Sequence, residues 1–161
     1  MFLNKSDFSN VIKNTPMISI DLCVIKNKSI LLGERINPPA KKFYFVPGGR
    51  IFKNESLNDA FKRISESELG IYRPEESEFI GVFEHMYDDN FLGNNDFSTH
   101  YIVLAYKIIL NSDISIPQEF IKSQHSNSLW YSFSNKNFKD INIHKYSMDY
   151  INNKKISCEL N

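Results

Sequence analysis

Gly49-Arg50-Ile51-Phe52-Lys53-Asn54-Glu55-Ser56-Leu57-Asn58-Asp59-Ala60-Phe61-Lys62-Arg63-Ile64-Ser65-Glu66-Ser67-Glu68-Leu69-Gly70-Ile71 is a glycine turn running into a helix. Ser56 is placed to cap that helix, and Gly70 is placed to end it in a left-handed turn. Leu57, Ala60, Phe61 and Ile64 form its apolar stripe. Glu55 and Arg63 stand eight apart and can pair across the loop-helix to hold its shape. Positions 64, 67 and 68 share one helical face, and of these only Glu68 is a carboxylate. Glu68 has two readings, metal ligand or solvated residue near a helix C-terminus, and the helix dipole disfavours the second. Just upstream, Gly48-Gly49 lets backbone approach a ligand closely because glycine has no Cβ. A carbonyl there and the Arg50 guanidinium could face one polyphosphate. Taken alone, Pro47-Gly48-Gly49 is an ordinary turn.

Outward from this stretch the chain alternates short elements. Phe8, Val11 and Ile12 predict an N-terminal helix capped by Asn4 or Ser6 and ended before Pro16. Ile18 to Val24 alternates with Ser19, Asp21 and Cys23, which predicts a half-buried strand carrying Asp21 on its polar face. Ser29 to Arg35, Phe43 to Val46, Phe79 to Tyr87, Tyr101 to Leu110 and Leu129 to Phe133 read as further strands. His144 to Ile151 reads as a last helix. Asp88 to Ser98 is a polar loop. The reading is one α/β (α+β) domain over residues 1–161, a sandwich around a mixed sheet.

Composition narrows the function classes. With 42% apolar and 14% aromatic residues the chain is globular. Its 19 basic and 19 acidic residues cancel, and no basic block interleaves with aromatics, so nucleic acid is not an expected partner. No apolar run approaches membrane-spanning length and the N-terminus is too polar for a secretory signal. Cys23 and Cys158 lie far apart with no CxxC partner. A reducing cytoplasm is the expected location.

Gln124-His125 is the second constellation, in the polar segment Lys122 to Ser128. A loop histidine is most often simply exposed, yet imidazole is the usual general base near neutral pH. An adjacent amide oxygen is an acceptable ligand for a hard metal. His85 and His100 border the central strands and read as structural.

Gly49, Glu55, Arg63, Glu68, Gly70 and Ile71 stand at the spacing of the Nudix box, in which carboxylates usually occupy the positions of Ile64 and Ser67. Those absences, together with Asp88-Asp89-Asn90-Phe91 and Gln124-His125, resemble the GDP-mannose mannosyl hydrolase branch of the Nudix superfamily. The likeness runs from Met1-Phe2-Leu3 through Leu31-Leu32-Gly33, Arg35, Phe45 to Arg50, and Thr99-His100-Tyr101. It departs by one extra residue in the Gly93 to Asp96 loop and fades in the C-terminal third.

The resemblance implies a Nudix α/β/α sandwich, a homodimer, and Mg²⁺-dependent hydrolysis of a GDP-sugar at the anomeric carbon. GDP and a free sugar are released, GDP-mannose being the leading substrate and one ion, replaceable by Mn²⁺, serving each subunit. It further implies that the Gly48 carbonyl, Glu68 and Gln124 hold the metal and that Arg35 and Arg50 hold the diphosphate. Arg63 supports the site, His125 deprotonates water, and Tyr101 and Asp21 contact leaving group or sugar. Two other readings stay open: pyrophosphate hydrolysis of a nucleoside diphosphate derivative, and a catalytically silent nucleotide-sugar-binding module.

Overall fold

A computed structural model describes residues 3–72, 74, 76–111, 125–134 and 141–157. Among these residues seven strands form one mixed sheet: β1 (Met17–Lys26), β2 (Ser29–Arg35), β3 (Tyr44–Phe45), β4 (Gly48–Arg50), β5 (Glu76–Tyr87), β6 (Thr99–Ile109) and β7 (His125–Ser132). The main path runs β3-β2-β1-β6-β5, with β4 against β1 and β7 against β2. Among the described strands only β1 and β6 run parallel, in register from Met17↔Tyr101 to Ile25↔Ile109; the other strand pairings are antiparallel. Among the described residues four helices accompany the sheet: α1 (Lys5–Asn14), α2 (Leu57–Leu69), α3 (Lys145–Ile151) and α4 (Lys154–Ser157).

Alternation along β1 separates two cores. Ile20, Leu22 and Val24 pack with Ala60, Ile64 and Leu69 of α2, whereas Cys23 and Ile25 pack with Tyr146, Tyr150 and Ile151 of α3. The sheet therefore lies between helices, as expected of the sandwich. The half-buried reading of β1 needs correction, because Ser19, Asp21 and Cys23 are buried as well. α3 packs over the Asp21 and Cys23 part of that face.

The functional helix forms as its sequence directs. The Ser56 side chain accepts the Asp59 amide proton at 3.1 Å, and Gly70 closes the helix at φ 69°. α1 is capped by Asn4, whose side chain accepts from the Asp7 amide. The Asp88 to Ser98 loop folds on the buried Asn90, whose amide donates to the carbonyls of Asn94 and Phe97 at 2.9 and 3.0 Å.

Two further readings change. Gly48 and Gly49 are not a free turn but lie in β4, opposite Asp21 and Ile20 of β1. His125 opens β7 rather than sitting in a loop, its backbone opposite Arg35. Among the described strands β7 pairs only with β2, and the solvent side of such an edge strand accepts the polar Ser126 and Asn127 that made the segment look like a loop. Gln124 lies outside the described residues.

One consequence of the topology places the site. β1 pairs with β2 only at Ile25 and Lys26, and with β4 at Ser19 to Asp21. Past that first pair, β2 leaves β1 and continues with β3 and β7. The sheet splits where β1 changes partner, and Arg35 and Arg50 stand on opposite sides of the split.

Candidate active site

A cavity of about 310 Å³ occupies that split. Asp21, Arg35, Gly48, Arg50, Arg63, Glu68 and Tyr101 all line it. Seven positions singled out from sequence, spread over β1, β2, β4, α2 and β6, are thus brought to one concavity. Gln124 lies outside the described residues, and His125 is placed through its backbone pairing with Arg35 alone.

One wall is α2 packed on β4. Gly49 permits this contact, since a Cβ there would lie 3.1 Å from Ile64 Cγ1. The constraint at Gly48 is stricter: a Cβ would lie 2.6 Å from the Ile20 carbonyl oxygen and 2.8 Å from Asp21 Oδ1. Glycine is required there by steric exclusion rather than by dihedral angle. Glu68 is 4 % exposed, which removes the solvated reading. Ile64 and Ser67 line the same wall, so the side-chain charge contributed by this helical face comes from Glu68 alone.

The loop ahead of α2 is clamped by the expected pair. Arg63 donates from Nε to Glu55 Oε1 at 2.6 Å and from Nη2 to Oε2 at 2.8 Å. The same Nη2 reaches the Arg50 carbonyl at 2.8 Å, and Glu55 Oε2 accepts the Phe52 amide proton at 2.9 Å. The Arg63 guanidinium also lies 4.0 Å over the Phe52 ring. A bidentate, charge-assisted pair of this kind holds orientation as well as charge. Its hydrogen bonds, Arg63's foremost, hold the Glu55 carboxyl below its usual range.

Arg35 and Arg50 are held differently. Arg35 donates from Nε to the Pro39 carbonyl at 3.0 Å, and Arg50 lies 4.2 Å over the ring of Phe8. Among the described residues neither forms an ion pair with a carboxylate. Two guanidiniums fixed by neutral partners on the lining of one cavity can receive an anion.

The floor is a buried polar chain. Tyr150 donates its hydroxyl proton to Asp21 Oδ2 at 2.8 Å, and His85 Nε2 stands 3.3 Å from the same hydroxyl. Burial raises the Asp21 carboxyl to about 7, against the opposing pull of Tyr150 and Arg35. Burial, with His144 and Lys145 nearby, lowers His85 to about 3, so its imidazole is neutral at pH 7. Tyr101, opposite His85 in the β5–β6 register, has its phenol raised by burial.

A family model for the NUDIX domain matches residues 15–148. The chain belongs to the Nudix family. Among curated proteins it is 40% identical over 107 residues to the low-salt glycan biosynthesis protein Agl8 of Haloferax volcanii, covering 66% of this chain and 67% of that one. Among solved structures it resembles a MutT NUDIX hydrolase from Burkholderia pseudomallei with a TM-score of 0.68 at 19% identity, over 86% of this chain and 97% of the other. It also resembles a bifunctional NMN adenylyltransferase/ADP ribose pyrophosphatase from Francisella tularensis, complexed with AMP and a Mn ion. That likeness has a TM-score of 0.61 at 18% identity and covers 96% of this chain and 45% of the other.

Nudix hydrolases generally use divalent metal ions. The donors of this Nudix chain fit one hard cation: a backbone carbonyl where no Cβ can stand and a buried carboxylate are both oxygen ligands. Among the described residues no cluster of three or more His, Cys, Asp or Glu could hold a metal without such help. His100 pairs with Glu84 at 3.0 Å on a half-exposed face, as its structural reading expects. His85, given the same reading, instead lines the cavity beside Tyr87. Both stand two apart on β5, which could have flagged a shared face; the neighbour across that face could not be read from sequence.

Proposed function

We propose that this protein hydrolyses a GDP-sugar, GDP-mannose first, at the anomeric carbon in a divalent-metal-dependent reaction that releases GDP and free sugar. The observation that carries the reading is the cavity wall itself, where Ile64 and Ser67 stand beside the buried Glu68. A face with one carboxylate cannot gather the several ions that build hydroxide beside phosphorus. It can still serve a reaction whose main demand is a stabilised leaving group.

The residues divide that work. The Gly48 carbonyl, Glu68 and Gln124 would hold the ion, Mg²⁺ or Mn²⁺. When bound it offsets negative charge developing on the diphosphate. Arg35 and Arg50 hold the diphosphate from both sides of the split. Arg63 keeps Arg50 and the box loop in place through Glu55 and the Arg50 carbonyl. Tyr101 and Asp21 face the leaving group and the sugar. His125 takes the proton of the attacking water, a contribution of about 10²–10⁴-fold. The similarity to a protein named for glycan biosynthesis supports a sugar-bearing substrate.

The second reading is attack at phosphorus, and the similarity to a chain that includes an ADP ribose pyrophosphatase favours keeping it. One experiment separates them. GDP-mannose and other GDP-hexoses are hydrolysed in ¹⁸O-water with Mg²⁺, and the products are weighed by mass spectrometry. Label in the free sugar with unlabelled GDP is expected. Label in GMP or a sugar phosphate selects the second reading, and an intact substrate selects the silent binding module.

A further inference from the structure

The floor of the cavity is assembled by one short C-terminal helix. Tyr146 and Tyr150 stand one turn apart on α3 and point into the same layer. The Tyr146 ring stacks on the His85 imidazole, with centroids 4.0 Å apart and planes 8° from parallel. Its hydroxyl donates to the Met86 carbonyl at 2.7 Å and lies 2.6 Å from the Met86 amide. Ser147, between them, accepts the Val46 amide proton at 3.3 Å. These contacts tie α3 to β5 and to Val46, in the connection between β3 and β4, both of which border the cavity.

Tyr150 is wholly buried, and the edge of its ring meets Phe83 at 4.9 Å. Its single hydroxyl proton goes to Asp21 Oδ2 at 2.8 Å. His85 Nε2 stands 3.3 Å from the same phenol oxygen. With the proton committed to the carboxylate, the remaining interaction has His85 donating from Nε2. The phenol is thereby held from two directions. The second oxygen of the carboxylate, Oδ1, lies on the Gly48 side, only 2.8 Å from where a Cβ on that glycine would be. One oxygen of Asp21 is bound from beneath, and the other borders the cavity.

We infer that Tyr150 is a positioning residue for this enzyme: anchored by His85 and carried by α3, it fixes the Asp21 carboxylate so that one oxygen is presented to the bound sugar nucleotide. This rests on the proposed hydrolysis, in which Asp21 faces sugar or leaving group. A carboxylate on a short side chain turns about two bonds. Binding one oxygen rigidly removes that freedom before the substrate arrives, which is how preorganised polar groups contribute to rate. Tyr150 itself touches no substrate.

The experiment compares kcat and KM for GDP-mannose, and the Kd of GDP, in the full chain and in Y150F, D21N and the double variant. Y150F keeps the ring and removes only the hydroxyl. Its kcat is expected to fall about 10- to 100-fold, the loss typical of a group displaced by about 1 Å. GDP affinity should change by less than about twofold, because the arginines that hold the diphosphate are untouched. The double variant should be no slower than D21N alone, since Tyr150 acts through Asp21. Melting curves confine every assay to temperatures at which the variants are folded. Phe83→Leu loosens the packing of the Tyr150 ring while leaving its hydroxyl, and its kcat should stay within about twofold of the unaltered chain. An undiminished kcat in folded Y150F, independent and multiplying losses in the double variant, or an equal loss in Phe83→Leu would overturn the role of Tyr150. No GDP release by the unaltered chain from any GDP-hexose would instead overturn the reaction on which that role rests.

Discussion

Replacing Gly48 by alanine tests the site at its tightest point. The new Cβ would lie 2.6 Å from the Ile20 carbonyl oxygen, 2.8 Å from Asp21 Oδ1 and 3.2 Å from Asp21 Cα. Two of those atoms are backbone, so no side-chain rotation relieves the clash. Restoring the ordinary contact of 3.4 Å requires β4 to retreat from β1 by roughly 0.8 Å. That retreat is opposed on both flanks, by Leu22 N–H to the Pro47 carbonyl at 2.8 Å and Ile51 N–H to the Ile18 carbonyl at 3.0 Å. Overpacking of this kind costs typically about 1–3 kcal/mol. For a chain of this size each kcal/mol moves Tm by roughly 2–4 °C, so a drop of roughly 2–12 °C is expected. The same retreat shifts the Gly48 carbonyl from its place, and on the proposed reaction a displacement near 1 Å costs about 10²-fold in turnover. Gly49→Ala is the internal control. Its nearest neighbour is Ile64 Cγ1 at 3.1 Å, the end of a side chain that can turn, so its cost should stay at about 1 kcal/mol or less. Thermal melts and initial rates of GDP release read both quantities. A Gly48→Ala protein melting within 1 °C of its parent at full rate would refute the steric argument.

Other perturbations have equally direct readouts. Glu68→Gln should lower kcat by at least about 10²-fold and abolish the response to Mg²⁺ titration, since the loss amounts to several kcal/mol of charge stabilisation; unchanged Mg²⁺ dependence would sink the single-ion scheme. Arg63→Lys loses the bidentate grip on Glu55 and should destabilise the fold by about 1–3 kcal/mol in urea melts, against an unchanged midpoint if the pair were decorative. His125→Gln should lower kcat by about 10²–10⁴-fold with GDP affinity retained, and remove the acid limb near pH 6.5 from the rate profile. In metal-free protein the Asp21 carboxyl is raised from 3.8 to about 7 by burial. A carboxyl raised in the folded state contributes stability that is full below its unfolded pKa and is lost as pH rises through its folded one. Urea stability should therefore decline from about pH 4 to 7 by as much as about 4 kcal/mol on this account, and Asp21→Asn should flatten that slope; identical slopes in both proteins would contradict it.

What the sequence disclosed is what lies close together along it. Ser56, Gly70 and the Glu55–Arg63 pair act within one loop-helix, so spacing alone specified the cap, the stop and the clamp later seen at 2.6 and 2.8 Å. Misreadings arose where a partner comes from far along the chain. The alternation of Ser19, Asp21 and Cys23 is that of a strand with one wet face, and α3 packs over the Asp21 and Cys23 part of it. Gly48-Gly49 carries the signature of a turn, yet β1 offers free edge at Ser19 to Asp21 because β2 has already departed. His85 read as structural because its neighbours in space, Tyr146 and Tyr150, lie 60 and more residues downstream. The second of these contacts spans 65 positions, and no local pattern encodes it.

The division between local and distant residues follows the chemistry. On the proposed reaction, the box loop-helix, encoded locally, supplies what a bound diphosphate needs: a fixed backbone carbonyl, one carboxylate and an arginine clamp. Arg35 and Arg50 come from strands on either side of the split and face the cavity with neutral partners, Pro39 and Phe8. An anionic leaving group is the ligand that this arrangement favours. The sugar side needs something else, a polar floor that does not compete for the same charge. Burial raises Asp21 to about 7 and lowers His85 to about 3, so on the proposed reaction this floor carries less charge than two ionised groups would. A fully ionised Asp21 would repel the departing diphosphate and draw Arg35 away from it. On the same reaction, a carboxyl held by a phenol, with a neutral imidazole behind it, would leave the two guanidiniums to the phosphates and the floor to hydroxyl recognition.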